Sequence, residues 1–241
     1  MKALSIRNIQ NQFHPKRFPS PSNSGELIYN EDFESNVLDW QTGGDAGATL
    51  EIATAGGGAT PFAGARYLHL APPLGVGKVA YGYQWFDIPK GIFGFEGWIN
   101  IWQAGANGLQ YVDIEMDYYD YVNVWDVYLR YYFANFKWYY SSAYVGGIVA
   151  GFVVIPPGVA QPFQINQNPW RYFKMIVEFG RAMKARSFQF GNRIYDLNFL
   201  YCPTDNVVEG AGVKFGVQVY CGSAANLANI GLDNVQLTRE T

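Results

Sequence analysis

The chain has 241 residues, a length that fits one large all-β domain. Apolar residues make up 49% of it, which is enough to form a folded core and excludes a largely disordered chain. Its 17 Lys and Arg are outnumbered by 20 Asp and Glu, which argues against a nucleic-acid-binding protein because such proteins need cations to replace the counterions of phosphate.

Residues 1–24 predict a basic, Pro-rich arm. The first 25 residues contain Lys2, Arg7, Lys16 and Arg17 and no acid, so they carry +4, and the net charge of −3 leaves −7 on the remainder. A basic arm on an acidic body suggests contact with another copy of the chain or with another protein, and a solvated terminus is the alternative. The candidate assembly residues of the arm are Ile6, Arg7, Ile9, Phe13, Lys16, Arg17 and Phe18.

The N-terminus does not resemble a secretory signal, because Arg7 interrupts the short apolar run that follows Lys2. The longest densely apolar segment, 145–155, is too short to span a bilayer and is followed by Pro156 and Pro157. The sequence therefore predicts no membrane span.

From Glu26 onward the sequence alternates between strand-like segments and Gly, Pro and Asn clusters. The segment 79–86 places Val79, Tyr81, Tyr83 and Trp85 on one face of a strand. We expect an all-β fold, a single jelly-roll β-sandwich over residues 25–241 with an extended N-terminal arm.

The next strand, in segment 94–102, predicts a possible carbohydrate-binding platform. Its alternation places Glu96, Trp98, Asn100 and Trp102 on one face. Aromatic faces stack on the C–H surfaces of sugars, while neighbouring polar groups bind the hydroxyls. Rings also fill sandwich cores and subunit contacts, so a structural role is the alternative.

The segment 111–133 contains an acidic ladder. Asp113, Glu115 and Asp117 share one face of a strand, and a four-residue turn at 120–123 would bring Arg130 opposite Asp113 and Asp126 opposite Asp117. The Tyr-rich stretch 118–121 borders these acids. The ladder is open to three interpretations, which are a catalytic carboxylate pair, a cation site and a solvated face with one weak ion pair.

The order Asp-x-Glu-x-Asp departs from the Glu-x-Asp-x-Glu strand of laminarinase-type glycosidases. No nucleophile motif with a His partner appears elsewhere. We therefore expect a protein that is not an enzyme and assign no catalytic residue.

Three segments carry a family resemblance: NEDFES (30–35), GLDNVQLT (231–238) and the hairpin-like stretch 168–197. Together they resemble laminin-G-like and concanavalin-A-like jelly-roll domains and, more loosely, carbohydrate-binding modules. In related modules a Glu of the opening motif and an Asp of the closing motif can share a structural calcium. The resemblance thus implies a calcium site at Glu34 and Asp233 and otherwise no cofactor.

Two functional hypotheses follow. The first is a virion structural protein, a capsid-decorating or particle-surface sandwich that acts by homo-oligomerisation or by contact with other capsid proteins, because a jelly roll with an arm and no export signal suits particle assembly. The alternative is a lectin-like, extracellular carbohydrate-binding domain of a secreted system. Two cysteines, Cys202 and Cys221, fall in strand-like segments, and a bridge between them stays open.

Overall fold

A computed structural model describes residues 25–35, 37–55, 59–103, 108–145, 148–156, 170–180, 184–200 and 210–241. No helix within these ranges is long and apolar enough to cross a membrane. The predicted assembly arm, Cys202 and residues 157–169 lie outside the described residues.

The described residues form strands joined by turns, and the all-β prediction is confirmed. In chain order the strands are β1 (Glu26–Glu31), β2 (Gln41–Gly44), β3 (Thr49–Thr54), β4 (Arg66–Ala71), β5 (Val79–Phe86), β6 (Gly91–Gln103), β7 (Leu109–Asp120), β8 (Val124–Tyr132), β9 (Lys137–Val145), β10 (Ile148–Val154), β11 (Arg171–Phe179), β12 (Lys184–Phe190), β13 (Arg193–Leu200), β14 (Ala211–Cys221) and β15 (Ala228–Glu240).

The strands form two antiparallel sheets that pack as a sandwich. Sheet A has the order β13-β12-β11-β6-β15-β4-β3, and β1 also pairs with β15. Sheet B has the order β10-β9-β8-β7-β14-β5-β2. The first and last strands are therefore neighbours, and strands that are distant in sequence alternate across each sheet, as the predicted jelly roll requires.

The core lies between the two sheets because each central strand alternates apolar and polar residues with a period of two. In β7 the inward residues Val112, Ile114 and Met116 are fully buried. Rings from both sheets meet in the core, with Phe95 of sheet A and Phe215 of sheet B 4.7 Å apart between centroids.

The hairpin of β7 and β8 has the predicted register. Asp113 pairs with Arg130, Glu115 with Tyr128 and Asp117 with Asp126. The four-residue turn 120–123 is closed by the Asp120 carboxylate, whose Oδ1 accepts hydrogen bonds from the backbone N–H of Val122 and Asn123. This Asx turn explains why the local sequence alone specified the pairing.

Cys221 is a buried free thiol rather than half of a bridge. Its Sγ donates a hydrogen bond to the backbone carbonyl oxygen of Ser223, at 3.0 Å. The buried cysteine therefore acts as a small core residue that also ties down the turn after β14.

Candidate functional site

A cleft of about 530 Å³ lies on the outer face of sheet B. It crosses four neighbouring strands, β2, β5, β14 and β7. Its lining residues are Gln41, Tyr81, Tyr83, Trp85, Glu115, Tyr119, Gly210, Lys214 and Gln218.

Four partly exposed rings supply the aromatic part of the cleft. Tyr81, Tyr83 and Trp85 project from β5 at every second residue, so the pleat places all three on the outer face. Trp85 lies 4.5 Å from Tyr119 of β7 between ring centroids. Rings held by a sheet on one side and open to solvent on the other are suited to stacking against a ligand.

Gly216 lies on β14, between the two strands that form the sides of the cleft. It sits in β14 opposite Glu115 of β7 on one side and Tyr83 of β5 on the other. A Cβ atom at this position would lie 2.4 Å from the carbonyl oxygen of Gly82, so a larger residue would push β5 away from β14. The glycine therefore permits the close approach of the two strands and leaves the centre of the face without a side chain.

An ion cluster borders this centre. The Lys214 Nζ lies 2.6 Å from Asp117 Oδ2 and 3.4 Å from Glu115 Oε1. The amide of Gln218 donates to Glu115 Oε2 at 2.7 Å and accepts a hydrogen bond from the Tyr220 hydroxyl at 2.7 Å. One connected chain of polar contacts thus positions the Glu115 carboxylate.

Burial and charge act in opposite directions on this cluster. Burial raises the pKa of Asp117 well above its usual value, and the Lys214 ammonium works against that shift. Burial also disfavours the ammonium form of Lys214, but the carboxylates of Asp117 and Glu115 outweigh it and raise the pKa of Lys214. Lys214 is therefore a charged ammonium throughout the physiological pH range.

A second ion pair lies beside the cleft. Arg130 donates through Nε to Asp113 Oδ1 at 2.7 Å and through a terminal nitrogen to Oδ2 at 2.6 Å, which is the bidentate geometry of a strong guanidinium–carboxylate pair. Burial raises the pKa of Asp113 to about 6, although the Arg130 hydrogen bonds lower it. The guanidinium lies 3.6 Å from the centroid of the Tyr111 ring.

The interpretation of the acidic ladder as a solvated face with one weak ion pair is wrong. Asp113 and Asp117 are fully buried and Glu115 is 2% exposed, and two cations rather than one neutralise them. Asp126, on β8, raises the pKa of Asp117 by charge repulsion. Sequence could not show this burial because Lys214 and its aromatic neighbours come from strands far from β7 in the chain.

The four residues of the predicted platform on β6 share one face of the strand, but other residues pack against that face. Glu96, Trp98, Asn100 and Trp102 all point to the outer face of sheet A, yet Trp98 stacks on Phe62 at 3.8 Å between centroids. Asn100 and Trp102 are buried, and so is Glu96, which accepts a hydrogen bond from the hydroxyl of Tyr172 and lies 3.8 Å from the Nζ of Lys174. The loop 59–65 covers part of this face, since Phe62 stacks on Trp98 and the Thr60 carbonyl accepts a hydrogen bond from the indole N–H of Trp170.

Glu34 and Asp233 anchor that covering loop. Glu34 Oε1 accepts hydrogen bonds from the backbone N–H of Ala65 at 2.7 Å and of Arg66 at 3.1 Å. Asp233 Oδ2 accepts the N–H of Ala63 at 3.0 Å, and burial raises the pKa of Asp233 to about 7.

The donor set around these two carboxylates does not fit the calcium site that the resemblance implied. Calcium takes six to eight oxygen ligands, whereas backbone N–H donors occupy Oε1 of Glu34 and both carboxylate oxygens of Asp233. Within the described ranges no group of three or more His, Cys, Asp or Glu residues could hold a metal ion. The two residues hold a loop in place instead.

Sequence analysis missed the aromatic side of the cleft although it found the alternation of Tyr81, Tyr83 and Trp85. The signal was a strand with three large amphipathic rings on its outer face. The sequence pattern does not give the order of the strands. In the structure β14 lies between β5 and β7 and supplies Lys214 and Gln218 to the cleft.

The architecture is a jelly-roll β-sandwich, and comparisons with solved structures confirm this fold. The chain is similar to the carbohydrate recognition domain of Emp47p, with a TM-score of 0.55 and 12% identity over 92% of this chain and 100% of that one. It is also similar to a galectin-like protein of unknown function from Bacillus subtilis, with a TM-score of 0.50 and 12% identity over 90% and 99% of the two chains. A third similar structure is a protein of unknown function from Shewanella oneidensis MR-1, with a TM-score of 0.50 and 9% identity over 88% and 85%.

No protein-family model and no curated protein sequence matches the chain. Identities this low establish the fold alone. The virion hypothesis stays a prediction, to which these neighbours lend no support.

Proposed function

We propose that the protein is a non-catalytic carbohydrate-binding domain whose ligand lies in the sheet B cleft. The observation that carries this proposal is the combination of four partly exposed rings with the Glu115 carboxylate and the amides of Gln41 and Gln218 in one cleft. Aromatic surface with a few fixed polar groups is the usual composition of a small-molecule site, and sugars present both C–H faces and hydroxyls to it. The carbohydrate recognition domain of Emp47p, which shares the fold, supports the choice of ligand class.

The arrangement of the acids supports binding rather than hydrolysis. Glycosidases use two carboxylates that both face the scissile bond, one as an acid and one as a base or nucleophile. Among the acids of the described residues only Glu115 lines the cleft, whereas Asp113 and Asp117 are fully buried and paired with cations. A single lining carboxylate cannot fill both roles.

A pair of matched variants tests the location of the site. Trp85→Leu removes a ring from the cleft, and Trp98→Leu removes a ring from the platform that the sequence predicted on the opposite sheet. The probe is a glycan array, followed by calorimetry with the best ligand of the unmodified protein. We expect Trp85→Leu to weaken binding roughly tenfold and Trp98→Leu to leave it unchanged.

Circular dichroism and thermal melting confirm that each variant is folded. The opposite pattern, with loss of binding in Trp98→Leu only, would place the site on sheet A. No binding by the unmodified protein to any carbohydrate on the array would contradict the proposed function itself.

A further inference from the structure

The charges around the cleft indicate which class of carbohydrate it accepts, an inference that rests on the proposed function. The outer face of β7, β8 and β14 carries more carboxylates than cations. Its four acids are Asp113, Glu115, Asp117 and Asp126, and its two cations next to them are Arg130 and Lys214. With all six groups ionised the net charge of this patch is −2.

Lys214 is the only cation among the described residues that line the cleft. Its ammonium group contacts Asp117 at 2.6 Å and Glu115 at 3.4 Å, and its side chain is only 17% exposed. Because both carboxylates already neutralise it, an incoming anion would have to displace a buried ion pair to reach it.

Arg130 is equally engaged. Both oxygens of Asp113 accept hydrogen bonds from it, and its guanidinium lies 3.6 Å from the centroid of the Tyr111 ring and 4.0 Å from that of Phe152. Its side chain is 14% exposed. Neither the fork of donors nor the faces of the guanidinium are open to a ligand carboxylate or sulfate.

We propose that the cleft binds neutral, hydroxyl-rich glycans and discriminates against glycans that carry uronate or sulfate groups. A neutral hydroxyl can exchange hydrogen bonds with the amide of exposed Gln41 and pass close to the Glu115 carboxylate without meeting a like charge. A ligand carboxylate would lie near Glu115 and Asp117 with no free cation among the described lining residues to offset the repulsion. Discrimination therefore comes from a repulsive element built into the site.

The first experiment compares ligand classes on the unmodified protein. The probes are neutral oligosaccharides of glucose, xylose, galactose and mannose, together with oligogalacturonides and heparin hexasaccharide. We expect the best neutral ligand to bind at least roughly tenfold more tightly than any acidic one. Equal or tighter binding of an acidic probe would overturn this inference and leave carbohydrate binding standing, whereas no binding to any probe would contradict the proposed function.

The second experiment adds a free cation to the rim. Gln41 is exposed on β2. Three strand spacings, about 14 Å between Cα atoms, separate it from Glu115 on β7, so an Arg at this position would not reach the buried acids. Gln41→Arg should strengthen oligogalacturonide binding roughly threefold to fivefold, and Gln41→Met, the matched control without charge, should not. Equal responses of the two variants would contradict the electrostatic origin of the discrimination.

The salt dependence of binding tests independently whether the cleft repels or attracts an acidic ligand. Salt screens repulsion, and the Debye length shortens roughly fourfold between 20 and 300 mM NaCl. The weak binding of oligogalacturonide to the unmodified protein should therefore improve over this range, and binding of a neutral ligand should not change. A decrease in oligogalacturonide binding over the same range would show that a cation attracts the ligand, and the inference would fail.

Discussion

The variant Lys214→Met tests whether the acidic face is a buried ion cluster or a solvated surface. Lys214 contacts Asp117 and Glu115, whose side chains are 1% and 3% exposed. At an effective dielectric constant of about 20, the two attractions are worth roughly 6 and 5 kcal/mol before the cost of desolvating the charges is subtracted. Asp117 Oδ1 has no hydrogen-bond partner among the described residues, so the negative charge of Asp117 depends on this lysine.

Removal of one partner from a buried ion pair leaves an uncompensated charge. We expect Lys214→Met to lower the free energy of unfolding by about 3–5 kcal/mol at pH 8, several times the loss expected for an exposed pair. The loss should be smaller at pH 5.5. Burial raises the pKa of Asp117, so the folded state binds a proton more readily than the unfolded chain does, and stability falls as the pH rises through that range.

Urea denaturation at the two pH values measures both effects. The double variant Lys214→Met with Asp117→Leu is the control, because it removes the pair rather than one partner and should recover most of the lost stability. A loss below about 1 kcal/mol at pH 8, or one that is the same at both pH values, would show that water reaches these carboxylates and would refute the argument.

Three further predictions concern other parts of the chain. Burial raises the pKa of Asp233 from 3.8 to about 7, so the free energy of unfolding should fall between pH 5 and pH 8 as this carboxyl group ionises. In Asp233→Asn this fall, measured by urea denaturation, should be smaller. The same fall in the variant and the unmodified protein would contradict the raised pKa. Because backbone N–H donors occupy Oε1 of Glu34 and both oxygens of Asp233, EDTA should leave the melting temperature unchanged, and a drop that CaCl₂ reverses would reveal a calcium site. If residues 1–24 are an assembly arm, light scattering after size exclusion should show oligomers of the full chain that dissociate more readily when the arm is deleted. If both the full chain and the deletion variant are monomers, that hypothesis is contradicted.

The sequence predicted best those elements that residues close together in the chain determine. The register of β7 and β8 followed from one alternating strand and one four-residue turn at Asp120, and the structure has that register. The sandwich followed from repeated period-two segments, and its two sheets are present.

The sequence carried least information about what covers each face of the sandwich. The predicted platform around Trp98 had a structural role as its alternative, and Phe62 from a loop rather than a strand stacks on that ring. A solvated face was one of three interpretations of the β7 carboxylates, and it is wrong because Lys214 of β14 pairs with them and they are buried. Pairing between strands that are distant in sequence determines both outcomes, and period-two patterning carries no information about it.

Buried charges lie on the outer face of both sheets, and those of sheet B border the proposed cleft. Replacing a buried ion pair by apolar residues of similar size is often neutral or stabilising, so we expect that the fold does not need Lys214 and Asp117 for its stability. Departures from a simple apolar pattern tend to lie at functional sites, where a sequence accepts a local cost. On sheet B that cost falls beside a cleft lined by rings, and the Glu115 carboxylate is the group that the cluster holds in place at the edge of the cleft.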